Sequence, residues 1–194
     1  MAESVRYEVD GWGVGELWLD GAMLLWHELP RPRGGDVGVH LHHSLAERIA
    51  AHFAGERDSF GDVELDLDGY TPFQRAVVET LRRVPWGEVV TYGELAALAG
   101  HPNAQRAAGS VCAHNRFPLV VPCHRVVAAG GIGSYGTSGV EYKRRLLELE
   151  GVGFACDADL EAVAALPLRP SKPRSWPHAP GAQRMTPYES RCAL

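Results

Sequence analysis

The sequence predicts an α+β protein, with a small α/β unit over residues 1–68, a mostly helical unit over residues 69–151 and an irregular extension over residues 152–194. Three observations predict it. Residues 5–26 alternate apolar and polar side chains around turn residues, as strands of a half-buried sheet do. From Thr71 the chain becomes a series of short helical stretches with sharp caps. Six of the thirteen prolines then fall between Pro167 and Pro187, a composition that opposes a packed core.

The elements follow in order. Val5, Tyr7 and Val9 alternate, and Gly15 to Leu19 and Met23 to Trp26 flank Asp20-Gly21, a two-residue hairpin signal, so three strands are expected. Arg31-Pro32-Arg33-Gly34-Gly35 breaks the regularity. Ser44 with Glu47 reads as a capping box opening a helix through Leu45, Ile49 and Phe53, which stops at Gly55. Val63, Leu65 and Leu67 suggest an edge strand or extended connection. Thr71-Pro72 caps a helix carrying Phe73, Val77, Val78 and Leu81, which ends before Pro85. Thr91 with Glu94 is a second capping box, opening a helix that stops at Gly100, and Pro102 starts another that runs to about Ala113. Two short helices joined by a tight turn have the layout of a helix-turn-helix, here winged-helix-like. Val140 to Glu150 closes the unit as a helix with Leu146 and Leu147 inside and Gly151 as its stop. In the extension, Asp157 to Leu166 is the one expected helix, and Trp176 and Tyr188 could dock a tail otherwise expected to be mobile.

The net charge of −5 hides a polarity: residues 1–70 carry net −9, residues 71–151 net +3 and residues 152–194 net +1. A basic segment beside an acidic one points to a polyanion partner, although a solvated acidic face accounts for the first part equally well. No apolar run approaches the roughly 20 residues that span a bilayer, and Met1-Ala2-Glu3-Ser4 lacks a signal-peptide pattern, so a cytoplasmic protein with no membrane partner is expected. The four cysteines, Cys112, Cys123, Cys156 and Cys192, form no C-x-x-C pair and should remain thiols in a reducing compartment. His40, His42 and His43 have no carboxylate or cysteine partners at ligand spacing, so no metal is expected there.

The chemistry concentrates in Pro122-Cys123-His124-Arg125-Val126, reached through the apolar run Leu119-Val120-Val121, which reads as a short buried strand. A thiol, a base and a cation in succession form a reactive-site composition, while an isolated Cys-His pair is more often an inert core pair. Upstream, the helix after Pro102 is nearly bare: Ala104, Ala107, Ala108, Gly109 and Ser110 surround one long cation, Arg106. Such a helix suits close approach to a nucleic acid or close packing in a core. Downstream, Gly130, Gly131, Gly133, Gly136 and Gly139 surround Ser134-Tyr135 and Thr137-Ser138, a loop whose backbone can pass close to a planar ligand.

Tyr92-Gly93-Glu94-Leu95-Ala96, Arg106-Ala107, Asn115, Pro122-Cys123-His124-Arg125-Val126, the glycine-rich loop and Glu150-Gly151 stand in an order and spacing that strongly resembles the O6-alkylguanine-DNA alkyltransferases across residues 65–151. Phe53-Ala54-Gly55 with Phe60 is similar to the end of that family's N-terminal domain. The resemblance implies direct repair of O6-alkylguanine in double-stranded DNA, with O4-alkylthymine a further candidate lesion, by a monomer without cofactor. The alkyl group would pass irreversibly, once per molecule, to Cys123. His124 would be the base, acting through a water, Glu150 the carboxylate that holds it, Asn115 the residue ordering the turn, and Tyr92 the donor to the departing guanine. Because the target atom lies inside the duplex, the base must be rotated out. Arg106 would fill the vacated stack, with Ala107, Gly109, Ser110, Gln74 and Arg125 completing the DNA-facing set. Tyr92, the backbone of Val126 and the loop residues Ser134, Tyr135, Gly136, Thr137 and Ser138 would wall the pocket. The loop departs from the commoner family pattern by placing its tyrosine one position early, and the N-terminal unit lacks the cysteines with which some relatives bind zinc. A non-reactive lesion binder or damage-responsive regulator on the same fold is the alternative. A cysteine hydrolase unrelated to DNA leaves the bare helix with Arg106 unexplained.

Overall fold

The computed structural model describes residues 2–32 and 43–153, and joins a four-stranded sheet, a two-stranded sheet and five α-helices. The acidic half builds the larger sheet in the order β1 (Glu3–Val9), β2 (Gly13–Asp20), β3 (Met23–Arg31) and β4 (Glu64–Leu65), antiparallel except for the last pair. Its alternation is as expected: Val5, Tyr7 and Val9 point inward. Gly15 lies opposite Tyr7, and a Cβ at that position would collide with the phenol ring, so only glycine fits this register. The hairpin loop is Gly21-Ala22, one residue later than Asp20-Gly21, because Asp20 pairs with Met23 and Gly21 supplies the positive φ of 60° at the first loop position. β3 also continues past Trp26 to Arg31, carried by pairing with β2 as far as Val14.

Helix α1 (Ser44–Phe53) buries Leu45, Ala46, Ile49, His52 and Phe53. Its N-cap is His43, whose Nδ1 accepts from the Leu45 N–H, so the expected Ser44/Glu47 capping box does not form. Helices α2 (Pro72–Leu81) and α3 (Tyr92–Leu98) both open on complete capping boxes, Thr71 with Gln74 and Thr91 with Glu94. Helix α4 (Gln105–Ala113) begins three residues later than Pro102, since Asn103 at φ 71° cannot continue a helix. The smaller sheet pairs β5 (Val90–Thr91) with β6 (Val126–Val127), and helix α5 (Val140–Leu149) closes the described chain. The expected helix Asp157 to Leu166, the docking residues Trp176 and Tyr188, and the extension from residue 154 onward lie outside the described residues, as do His40 and His42.

Both halves contribute to one cluster of buried side chains, with Leu17, Leu24 and Ile49 from the first and Val77, Leu81, Leu95, Val121 and Leu146 from the second. Polar staples cross the same boundary. Arg82 Nη2 donates to the carbonyls of Phe60 at 2.6 Å and Val63 at 2.9 Å, and Arg116 pairs with Asp66 at 3.2 Å while lying over the Tyr70 ring. Trp12 packs against Phe53 and Tyr142, under the Arg145 guanidinium 3.7 Å from its ring centre. His27 on β3 is the staple nearest the motif. Its backbone N–H bonds the Arg116 carbonyl at 2.9 Å and its Nδ1–H bonds the Pro118 carbonyl at 2.6 Å. That leaves Nε2 bare to accept from the Tyr7 hydroxyl at 2.5 Å.

Burial lowers the His27 pKa to about 4, only partly opposed by the Pro118 carbonyl. An unfolded histidine titrates near 6.5, so its contribution to stability is complete above that pH and is lost as pH falls toward 4. The whole effect is worth about 3 kcal/mol by linkage. His27→Gln, which gains no proton, should therefore be less stable than the parent near neutrality but lose less stability between about pH 7 and pH 5. Urea denaturation at the two pH values measures this, and identical losses in the two proteins would contradict it.

Candidate active site

The run before the motif is not a strand. Leu119 adopts φ 75°, a left-handed conformation that costs a leucine about 1–2 kcal/mol. The chain there is a buried turn in which the Val121 N–H bonds the Phe117 carbonyl at 2.8 Å. Asn115 holds the turn from inside. Its Oδ1 accepts from the Phe117 N–H at 3.0 Å, and its Nδ2 donates to the Val121 carbonyl at 2.8 Å and to Cys123 Sγ at 3.1 Å. A single 3₁₀ turn, Cys123–Arg125, then presents all three of its side chains to the interior before β6 begins.

Those side chains meet the end of α5. Glu150 Oε1 accepts from His124 Nε2 at 2.8 Å and Arg125 Nη2 at 2.8 Å, while Oε2 accepts from Arg125 Nε at 2.9 Å and the Gly87 N–H at 3.2 Å. Burial alone would raise the carboxyl pKa, but His124 and Arg125 outweigh it and bring it down to about 2. The carboxylate is thus ionised at neutral pH. Burial lowers His124 in spite of Glu150, so the ring is neutral and places its single proton on Nε2, toward the carboxylate. Nδ1, buried and bonded to no group among the described residues, is left with its lone pair. Burial also pushes the Cys123 thiol up, more than the Asn115 amide and the Lys143 ammonium draw it down, so the resting sulfur is protonated. A protonated thiol followed in the chain by an imidazole that a carboxylate orients supplies the residue types from which a thiolate can form on demand.

A cavity of about 30 Å³ opens onto Cys123. Helical residues Tyr92, Gly109, Cys112 and Ala113 line one side of it, and Ser134, Tyr135 and Gly136 line the other. Such a space holds only one or two waters, well below the roughly 300 Å³ at which ligand pockets begin. Tyr92 is half-buried, and burial with the two neighbouring thiols raises its pKa, which keeps the phenol a hydrogen-bond donor. The buried Tyr135 hydroxyl reaches toward Cys123 and helps to draw the thiol pKa down, while burial and the sulfur raise its own. On the neighbouring face of α4, Arg106, Ala107 and Ser110 are exposed, and Gly109 faces the Tyr92 ring.

Cys123, Asn115, Tyr92, Ser134, Tyr135 and Gly136 are therefore brought together, and His124 and Glu150 form a buried pair beside them. Arg125 corrects the expectation: it is only 5% exposed, its guanidinium is spent on Glu150 and the Val84 carbonyl at 2.6 Å, and it is no surface cation for a phosphate. Gln74 uses its Oε1 to cap the Thr71 N–H at 2.8 Å. Val126 does not border the cavity, its carbonyl being taken by Lys143 Nζ at 2.6 Å, and Thr137 and Ser138 face outward to Arg31 at 3.1 and 3.2 Å. Three residues escaped the sequence reading. Lys143 is fully buried, gives Nζ to the carbonyls of Val126, Ile132 and Ser134, and has a pKa lowered by burial to about 8. Its signal was its place in one helical stripe with Leu146, Leu147 and Glu150. His52 of α1 lies 3.8 Å from Glu150 and against Trp86, and Cys112 shares the cavity; neither has a local sequence signature. Among the described residues no group of three or more His, Cys, Asp or Glu is placed to hold a metal ion.

A family model described as "6-O-methylguanine DNA methyltransferase, DNA binding domain" matches residues 72–152. The "Methylated-DNA--protein-cysteine methyltransferase" of Mycolicibacterium paratuberculosis is 44% identical over 126 residues, covering 64% of this chain and 69% of the relative. The protein of the same name from Mycobacterium bovis is 49% identical over 105 residues, covering 54% of this chain and 62% of the relative. Among solved structures, that of Mycobacterium tuberculosis OGT in complex with DNA superposes with a TM-score of 0.64 at 35% identity, covering 76% of this chain and 92% of that one.

Glu150→Gln keeps the shape of the buried pair and strips its charge. Leaving Arg125 buried and unpaired should cost about 3–5 kcal/mol, read as a loss of unfolding free energy. The same change removes the negative charge that raises the basicity of His124, so the rate of Cys123 alkylation by iodoacetamide should move to higher pH. An unchanged pH profile would make the carboxylate structural only.

Proposed function

Because the chain belongs to the methylated-DNA--protein-cysteine methyltransferase family, we propose that it repairs O6-alkylguanine in double-stranded DNA by moving the alkyl group to Cys123, irreversibly and once per molecule. One observation carries the reading: the Cys123 sulfur, held by Asn115, borders the cavity immediately before a neutral His124 whose proton is committed to Glu150. In this reading His124 Nδ1 takes the thiol proton, directly or through a water, and the thiolate attacks the alkyl carbon. The new S–C bond forms as the C–O bond breaks, and the electron pair passes to the guanine, which Tyr92 stabilises by donating its hydroxyl hydrogen. The product thioether has no leaving group, which accounts for single use.

The relative that was solved with DNA supports a DNA partner. α3 and α4 act as a helix-turn-helix, with Arg106, Ala107 and Ser110 as the surface presented to the duplex. A cavity for one or two waters cannot receive a base, so the wall formed by Ser134, Tyr135 and Gly136 moves outward when the lesion is rotated in. Arg106 makes no hydrogen bond or ion pair with the described residues and is free to fill the vacated stack.

Mixing the protein with a duplex containing O6-methylguanine should add a single methyl group, mapped to Cys123, and Cys123→Ser should abolish transfer while DNA binding persists. A methyl group on Cys112 with Cys123 unmodified would overturn the assignment. Arg106→Ala should slow single-turnover repair of the duplex lesion much more than reaction with free O6-benzylguanine, whose base is already unstacked. Equal losses on both substrates would return Arg106 to a structural role.

A further inference from the structure

The cavity beside Cys123 has a second thiol. Cys112 and Cys123 are the two cysteines among the described residues, and both are free. Both line the same space, which has room for one or two waters. Asn115 bridges them, since its backbone N–H reaches the Cys112 carbonyl at 3.4 Å and its side chain reaches Cys123 Sγ at 3.1 Å. A charge on either sulfur disfavours a charge on Tyr92, so all three groups share one electrostatic neighbourhood. Cys112 also lies one residue before the last residue of α4, which ends at Ala113 with His114 Nδ1 2.8 Å from the Ser110 carbonyl.

We propose that Cys112 is a resolving thiol for Cys123, so that a hydroperoxide converts the pair to an internal disulfide that a dithiol reductant reopens. The cavity admits a peroxide, a molecule little larger than water, while excluding a base in the resting structure. Cys123 thiolate attacks the terminal peroxide oxygen; the S–O bond forms, the O–O bond breaks, and the alcohol or water fragment leaves with a proton. Cys112 sulfur then attacks Cys123 Sγ, the S–S bond forms, the S–O bond breaks, and hydroxide leaves as water with the Cys112 proton. The two sulfurs lose two electrons and the peroxide gains them. Without a partner, a cysteine sulfenic acid proceeds to sulfinic acid, which ordinary thiols do not reverse. The disulfide thus preserves the acceptor while withholding it. Bond formation depends only on the placement of the two thiols; its effect on repair rests on Cys123 being the alkyl acceptor.

The test begins with the fully reduced chain, whose methyl transfer from an O6-methylguanine duplex is measured first, so that failure of the functional reading is seen separately. The protein is then exposed to several molar equivalents of hydrogen peroxide, enough for the second oxidation that sulfinic acid requires, its remaining thiols are blocked under denaturing conditions, and it is digested without reductant. A cross-linked Cys112–Cys123 peptide is expected, with transfer lost in proportion to it and restored by dithiothreitol. In Cys112→Ala and Cys112→Ser, each referred to its own reduced activity, Cys123 should appear as sulfinic acid and dithiothreitol should restore nothing. The proposal is overturned if Cys123 instead joins Cys156 or Cys192, if no Cys112–Cys123 peptide forms, or if the Cys112 variants recover as the parent does.

Discussion

A buried carboxylate is among the most expensive groups a protein can carry, and Glu150 is tolerable only because four donors converge on it. That requirement organises the second half of the molecule. Arg125 must turn inward to neutralise the charge, which fixes the 3₁₀ turn that carries Cys123 and His124. Gly87 must present its N–H, which fixes the turn between α2 and β5, and a Cβ there would press on the Glu150 carbonyl. His124 must offer its one proton to the carboxylate, which decides the face of the ring left basic. A single charge thus specifies the tautomer, the direction of the thiol and the docking of α5.

The elements legible in the sequence were those whose signals are local. Thr71 with Gln74 and Thr91 with Glu94 each complete a ring of hydrogen bonds within four residues, and the alternation of Val5, Tyr7 and Val9 needs only one sheet face. Where the structure departed, a distant partner had overruled the local preference. Leu119 to Val121 has the composition of a strand, yet Asn115 and His27 seize the carbonyls that a ladder would use. Arg125 looks like a phosphate contact until Glu150, twenty-five residues away, claims its guanidinium. Lys143 shows the same effect from the opposite side: an ammonium on a buried stripe is accommodated by carbonyls of β6 and of the following loop that no helical periodicity foresees. The reactive residues themselves were visible because their types and spacing are chemically unusual together. The second thiol was not, since its closeness to Cys123 exists only in the fold.

Closure of the cavity gives the resting protein a particular character. Burial keeps the thiol protonated and Tyr135 walls its cavity, so a base-sized electrophile is kept from the nucleophile until something rearranges the loop, while a molecule near the size of water is not. The strain at Leu119 and the positive φ values of Gly133, Gly136 and Gly139 stand on either side of the sulfur. Rigid support thus lies beneath the sulfur, while the wall above it is built from residues that can change backbone conformation at little steric cost.

The hydrogen-bonded chain from Tyr7 through His27 to Pro118 bears on what counts as a module here. The segment that the family model recognises, residues 72–152, is a unit of descent. It is not thereby a self-sufficient piece of protein, because the turn that positions its nucleophile is suspended from the first half's β-sheet. Grafting that segment alone onto another scaffold would leave the Arg116 and Pro118 carbonyls without their His27 partner. A transplant that preserved every reactive residue would still need β1 to β3 to reproduce the geometry.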